Sequence, residues 1–421
     1  MAKIKALPIA LAIASALTAA SASAVEFHGY ARAGLSTTGA GGEQTCYGSG
    51  AGGHYVGRLG DECDTYVELD LAQEVYNRDG KVFRIEAMWA SDIGSQGNDF
   101  QGNNGDAPWG GAEWAFRQFF STAKGVLGFA PEATVWAGKR YYQRKDVHIL
   151  DYYYLNNSGY GAGIEGIKMG PGQFSFAWTN MDQNGNDKDG NGTVLQNNKL
   201  DLRYAGIPLW GDANLELVGI AAFADDSDAQ NVETEDGLLA MAEISHSLLG
   251  GFNKMSFTYA SDSLADSVYD NHTGGNVRGI KGAWGDDAET AYRFLDWGVV
   301  KFGKNVEVGY AFLYQHKEQI SDNEVDRMSI VARPVYKIDD VQSIALEVGY
   351  TNEDPDNGDE QDLSKAVVSY NISAGKSFWA RPQIRFYGGS FWGDLAENNT
   401  SSDPDGDDGN FRFGAQVEAW W

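Results

Sequence analysis

Beyond Ala24 the chain has no run of the roughly 18 consecutive apolar side chains that a membrane-crossing helix needs, which excludes a helical membrane protein. Basic residues are scarce, 32 Lys and Arg against 59 Asp and Glu, for a formal charge of −27. Nucleic-acid binding needs clustered Lys and Arg, so that class is excluded. The sequence holds no phosphate loop, no His-Glu-x-x-His and no Cys-x-x-Cys pair. Asp187-Lys188-Asp189-Gly190-Asn191-Gly192 fits the first half of a calcium loop, but the twelfth position is Asn198 rather than Glu and no flanking helices are evident. No metal or cofactor is expected. Length alone suggests two or three soluble domains. The absence of any Pro-rich or Ser-rich linker, or of a break in composition, points instead to one large architecture.

What is present begins with Lys3 and Lys5, an apolar stretch from Ala6 to Ala20, and the small residues Ala22-Ser23-Ala24. This is the pattern of a secretory signal peptide, residues 1–24, cleaved after Ala24 to leave residues 25–421. Export places the two cysteines in an oxidising compartment, where Cys46 and Cys63 are expected to form a disulfide; two free thiols are the alternative.

The 53 Gly, 21 Tyr, 20 Phe and 12 Trp point away from a helical protein. The strongest pattern is a period of two. Phe411, Phe413, Ala415, Val417, Ala419 and Trp421 fall on one face of the last segment, and Arg412, Gly414, Gln416, Glu418 and Trp420 on the other. Val25, Phe27, Gly29, Ala31, Ala33 and Leu35 oppose Glu26, His28, Tyr30 and Arg32. Val67, Leu69 and Leu71 oppose Tyr66, Glu68 and Asp70, and Phe257 and Tyr259 oppose Ser256 and Thr258. Trp379, Arg381, Gln383 and Arg385 are expected on one face, opposite Phe378, Ala380, Ile384 and Phe386.

A soluble sandwich or propeller also alternates. Three features favour the membrane: apolar faces that start or end in aromatic rings, as a bilayer girdle requires; charged opposite faces suited to a wet lumen; and segments of about 9–11 residues, the span of a tilted strand. Backbone groups in hydrocarbon must all be paired, so the sheet must close. Short connections alternate with long ones rich in Gly, Asn and Asp, such as Asp182–Asn198, read as external loops. At about 22 residues per strand and loop, the expected fold is all-β: one transmembrane antiparallel β-barrel of about 18 strands with long external loops, wide enough for an aqueous channel.

Several blocks carry a more specific signal. They are Val25-Glu26-Phe27-His28-Gly29-Tyr30-Ala31-Arg32, Arg58-Leu59-Gly60-Asp61-Glu62-Cys63, the run from Trp136 to His148, Gly251-Phe252-Asn253-Lys254, Trp379-Ala380-Arg381-Pro382, and Phe413-Gly414-Ala415-Gln416 with Trp420-Trp421. With them the sequence resembles the maltoporin family along nearly all of residues 25–421. The resemblance implies an outer-membrane homotrimer in a Gram-negative bacterium, bathed in outer-membrane lipid. It also implies an inward-folded constriction loop, and a row of lumen aromatics flanked by ionisable groups that guides maltose and maltodextrins. Carried over by position, the row is Tyr30, Tyr66, Trp379 and Trp420, with Phe100 reaching in from a neighbouring subunit. The polar partners are Arg32, Arg58, Glu68, Arg117, Arg144, Asp146 and Asp151, joined by His148 and Tyr153 at the constriction. The family's ring near the periplasmic exit falls on Ala240, which shortens the row and keeps a related sucrose-type porin open.

The chemistry of sugars makes such a row sensible. A glucose ring has an apolar C–H face that aromatic rings cover, and a rim of hydroxyls to which Arg donates and from which carboxylates accept. A row of equivalent weak sites binds strongly enough to admit a glucan and weakly enough to release it. The bland alternative for each aromatic is a girdle residue, the reading adopted for Trp421. Other classes fit less well: a general diffusion porin, an adhesion barrel, or a barrel enzyme built on carboxylates such as Asp146 and Asp151. Nothing marks a nucleophile, so no enzyme is expected.

Overall fold

The computed structural model describes residues 24–39, 41–42, 46–48, 54–94, 114–186, 192–224, 236–269, 288–319, 322–397 and 410–421. The signal-peptide residues before Ala24, Phe100 and Asp187–Asn191 lie outside them. The strands are β1 Glu26–Thr38, β2 Asp64–Arg78, β3 Lys81–Gly94, β4 Trp114–Lys124, β5 Thr134–Arg140, β6 Lys145–Val147, β7 Tyr152–Leu155, β8 Gly159–Met169, β9 Gly172–Asn186 and β10 Gly192–Pro208. They continue as β11 Asn214–Ala224, β12 Gly237–Leu248, β13 Gly251–Asp262, β14 Ala288–Phe302, β15 Val306–Gln319, β16 Glu324–Lys337, β17 Gln342–Pro355, β18 Gln361–Ser373, β19 Gln383–Trp392 and β20 Phe411–Trp420.

Eighteen strands form one sheet; β6 and β7 pair separately. Each barrel strand lies antiparallel to its neighbour in sequence, and β20 returns to pair with β1, closing the cylinder. Backbone groups within the sheet therefore find partners without exposing an edge to lipid.

The side chains are sorted in the reverse sense to a soluble protein. Along β20, Phe411, Phe413 and Val417 are 47%, 49% and 40% exposed, whereas Arg412 and Glu418 are both fully buried. Leu35, Leu71, Phe257 and Phe386 are likewise exposed, and Arg203, Arg293 and Arg385 are buried. The outer face is apolar and the charges point inward, as the alternation indicates. Connections at the end shared by the chain termini are short. Asp79-Gly80 joins β2 to β3 with φ of +54° and +76°, the left-handed pair that a two-residue hairpin turn needs.

Two sequence readings change here. Asp182–Asn198, expected as a long loop, is mostly strand: β9 and β10 pair as far as Asn186 and Gly192, because antiparallel pairing satisfies backbone groups even in a polar run. Trp379 and Arg381 do not belong to a strand face, since β19 starts at Gln383 and both sit in the β18–β19 connection. Phe378, expected to face outward, is buried within the barrel. Its ring lies where a Cβ on Gly309 would stand, so the missing side chain at Gly309 makes its seat.

The β5–β8 connection, which carries β6 and β7, packs against the inner side of the wall. Val147, Ile149, Leu150, Tyr152 and Leu155 join one apolar cluster with Met241, Leu295, Leu313 and Val331 from β12, β14, β15 and β16. Facing this connection, inward positions of β11, β12 and β14–β16 carry large apolar residues, among them Val218, Ile220, Leu239, Met241, Leu295, Leu313 and Val331.

Candidate functional site

The seam between the first and last strands sets the site. In the β1–β20 register Tyr30 faces Trp420 and Arg32 faces Glu418. In the β1–β2 register Tyr30 faces Glu68 and Arg32 faces Tyr66. Inward positions of three adjacent strands thus collect two tyrosines, a tryptophan, an arginine and two carboxylates. The Tyr30 and Tyr66 rings lie 6.1 Å apart, and the Arg32 guanidinium stands 5.6 Å from the Tyr66 ring.

The row continues towards the periplasmic end. His148 stands 5.4 Å from the Trp420 ring and 5.6 Å from that of Trp379, and the Arg381 guanidinium covers Trp420 at 4.4 Å. Trp379 is stacked 6.4 Å from Phe252 at the start of β13. Phe252, not Ala240, supplies the ring at this end. Ala240 lies on the outer face: it is exposed, alternates with the buried Leu239 and Met241, and is paired with Tyr259, which is itself exposed. The expectation of a gap at Ala240 is corrected. In this part of the wall the inward residues are the apolar ones, so hydrophobicity does not report which way a β12 residue points.

Ionisable groups bracket the row. Glu418 is the hub. Its Oε1 accepts from Tyr30 Oη at 3.0 Å and lies 3.3 Å from Arg58 Nη1, and its Oε2 lies 2.7 Å from Arg381 Nη2 and accepts from Arg385. Arg58 also donates to Glu62 and, at 2.9 Å, to Tyr30 Oη. Its Nη1 lies 3.2 Å from His148 Nδ1, and His148 Nε2 lies 3.4 Å from both Glu418 and Arg381 Nη2, so a neutral imidazole meets a guanidinium at each nitrogen. Burial keeps the His148 imidazole below its ordinary pKa and favours this neutral form.

Arg32 Nη1 donates to Asp151 at 2.7 Å and Arg32 Nε to Asp64 at 2.8 Å, tying the β5–β8 connection to β1. Burial pushes the Asp151 carboxyl up, but Arg58 and Arg32 outweigh it and hold the group well below the usual carboxylate range. A second set lies beside Tyr66. Tyr66 Oη donates to Glu68 at 2.6 Å, Arg117 Nε donates to Tyr141 Oη at 2.7 Å, and Arg144 is stacked 4.1 Å from Tyr141 and 4.4 Å from Tyr153. Asp146 pairs through the backbone with Tyr153 and is exposed.

The structure therefore gathers Tyr30, Tyr66, Trp420, Trp379, Arg32, Arg58, Glu68, His148 and Asp151 into a continuous inner track, with Arg117, Arg144 and Tyr153 alongside. Sequence reasoning missed Glu418, Glu62, Asp64, Arg381, Tyr141 and Phe252. Glu418 was legible in part, because it precedes Trp420 by two positions on one face of β20. Cys46 and Cys63 are joined, with Cα atoms 5.9 Å apart.

The LamB porin family profile matches residues 25–421. The chain is 44% identical over 421 residues to a maltoporin of Hahella chejuensis, an alignment covering 99% of this chain and 98% of that one. It is 38% identical over 432 residues to a maltoporin of Photobacterium profundum, covering 99% and 98%. Among solved structures, a BenF-like porin from Pseudomonas fluorescens superposes with a TM-score of 0.50 at 9% identity, covering 94% of this chain and 98% of that one, a likeness of fold alone. By profile, by relatives and by its closed 18-stranded barrel, the chain belongs to the LamB porin family and is a sugar-selective channel of the Gram-negative outer membrane.

Proposed function

We propose that the channel passes maltose and maltodextrins by facilitated diffusion along the Tyr66–Tyr30–Trp420–Trp379–Phe252 track. The observation that carries this reading is the placement of the Tyr30, Tyr66 and Trp420 rings on inward strand faces among charged groups, continued by Trp379 and Phe252 at the edge of the inner apolar cluster. A glucan's C–H faces stack on the rings. Its hydroxyls meet donors from Arg32 and acceptors from Glu68 and Asp151, while Arg58, Arg381 and Glu418 hold the rings and these groups from behind. The β5–β8 connection, held by Arg32–Asp151 on one side and by its apolar cluster on the other, acts as the constriction. The working unit is a homotrimer, with Phe100 of each subunit opening the track of its neighbour. The residues act by binding and release, not by bond cleavage.

The test is current block in a planar bilayer. Micromolar-to-millimolar maltohexaose should close the ion current in a saturable way, and sucrose should do so far less well. A current indifferent to every oligosaccharide reduces the protein to a general porin, and stronger block by sucrose than by maltohexaose reassigns the sugar.

A further inference from the structure

A small recess opens between the inner faces of β16–β19 and the β18–β19 connection. It does not include the aromatic rings of the sugar track. Its charged lining is lopsided: Arg333, Lys337, Lys376, Arg381 and Arg385 against the single carboxylate of Asp339, in a chain of net charge −27. The counter-ions Glu347, Glu418 and Glu307 are not part of the lining. Arg333 Nε donates to Glu347, Arg385 Nη2 to Glu418, and Lys337 pairs with Glu307.

Arg333 and Arg385 each spend one edge of the guanidinium on a carboxylate behind it and leave N–H groups without an acceptor, whereas every nitrogen of Arg381 is engaged. Arg333 Nη2 and Arg385 Nε and Nη1 are buried and have no hydrogen-bond acceptor among the described residues. Arg333 is 5% exposed and Arg385 1%. Buried guanidinium N–H groups call for acceptors, and a fork of such donors fits an oxyanion. Ser343, Ser369 and Asn371 add hydroxyl and amide groups to the same wall.

We propose that this recess is a binding site for a small inorganic oxyanion, phosphate or sulfate in kind, held between Arg333 and Arg385. The anion presents several acceptors at once, satisfies the free N–H edges and offsets the local charge. The site lies beside the exit end of the track and is independent of sugar stacking.

The test is calorimetric titration of inorganic phosphate into the purified, detergent-solubilised barrel at fixed ionic strength, with maltohexaose block measured on the same preparations. The native protein should bind phosphate saturably. Arg333→Gln should weaken it at least tenfold. Ser369→Leu, which fills the recess and leaves every charge in place, should do the same if Arg333→Gln fails to fold. Both variants should keep maltohexaose block. Non-saturable phosphate uptake by the native protein overturns the proposal, and so does binding that Ser369→Leu leaves intact.

Discussion

Replacing Glu418 by Gln removes the carboxylate on which the inner charges converge while keeping its shape. Arg58 retains Glu62. Arg385 retains only Glu62, at 3.9 Å. Arg381 has no other carboxylate within 4 Å among the described residues, and its remaining neighbours are the carbonyls of Phe378 and Ala380 and the His148 Nε2 at 3.4 Å. Both guanidinium groups are almost fully covered. Stranding a buried charge costs about 3–5 kcal/mol. The lower end of that range, about 3 kcal/mol, corresponds to roughly a hundredfold in an equilibrium. Large barrels unfold irreversibly, so the useful readout is the unfolding rate in denaturant, followed by tryptophan fluorescence. Glu418→Gln should unfold up to about a hundredfold faster, and Glu418→Asp much less so. The decisive comparison is Glu418→Gln with Arg381→Gln. If the cost is a stranded cation, the double variant should be more stable than Glu418→Gln alone. Additive losses, or a Glu418→Gln rate within twofold of native, would refute the argument.

Other expectations are simpler to check. Trp379→Ala and Phe252→Ala should each weaken maltohexaose block several-fold, the equivalent of about 1 kcal/mol per lost stacking contact, and block titration reads this directly. Ala240→Phe should leave block by maltose and maltohexaose unchanged, because the new ring faces lipid; any strengthening would return Ala240 to the channel. Loss of the Cys46–Cys63 link, which closes a separation of 17 residues, should destabilise by at most about 3 kcal/mol by the chain-entropy relation. Both thiols should resist labelling until reductant is added. Asp151 has a folded-state pKa below its ordinary value, so its contribution is complete above about pH 4 and is lost as pH falls through the lowered value. The difference in unfolding rate between native protein and Asp151→Asn should therefore be flat from pH 5 to 8 and shrink below about pH 4.

The barrel was legible because its physics acts on neighbours in sequence: a strand between lipid and water writes a period of two, and β20 shows it residue by residue. The same rule misled wherever the inner side is not wet. Leu239 and Met241 point inward because Val147, Leu150 and their neighbours cover them, and nothing local in β12 announces that cover. The rule also failed at Phe378 and Trp379, where a short turn folds into the lumen and strand parity no longer applies. Of the site, the rings and arginines could be placed from the resemblance. The hub at Glu418 could not, because its partners come from positions 30, 58, 148, 381 and 385, brought together only by closure and by three connections packed against the inner face of the wall.

The track lies across the joint where the cylinder is zipped shut. Tyr30 belongs to the first strand and Trp420 to the last, so neither half of the chain owns a binding surface until the two ends have met. Occupation of the pore and integrity of the joint are therefore linked: a glucan lying across both strands favours the sealed form over any in which β1 and β20 have parted. Saturating maltohexaose should slow exchange of the backbone amides along this joint more than elsewhere in the wall, so the solute in transit also acts as a clasp on the vessel.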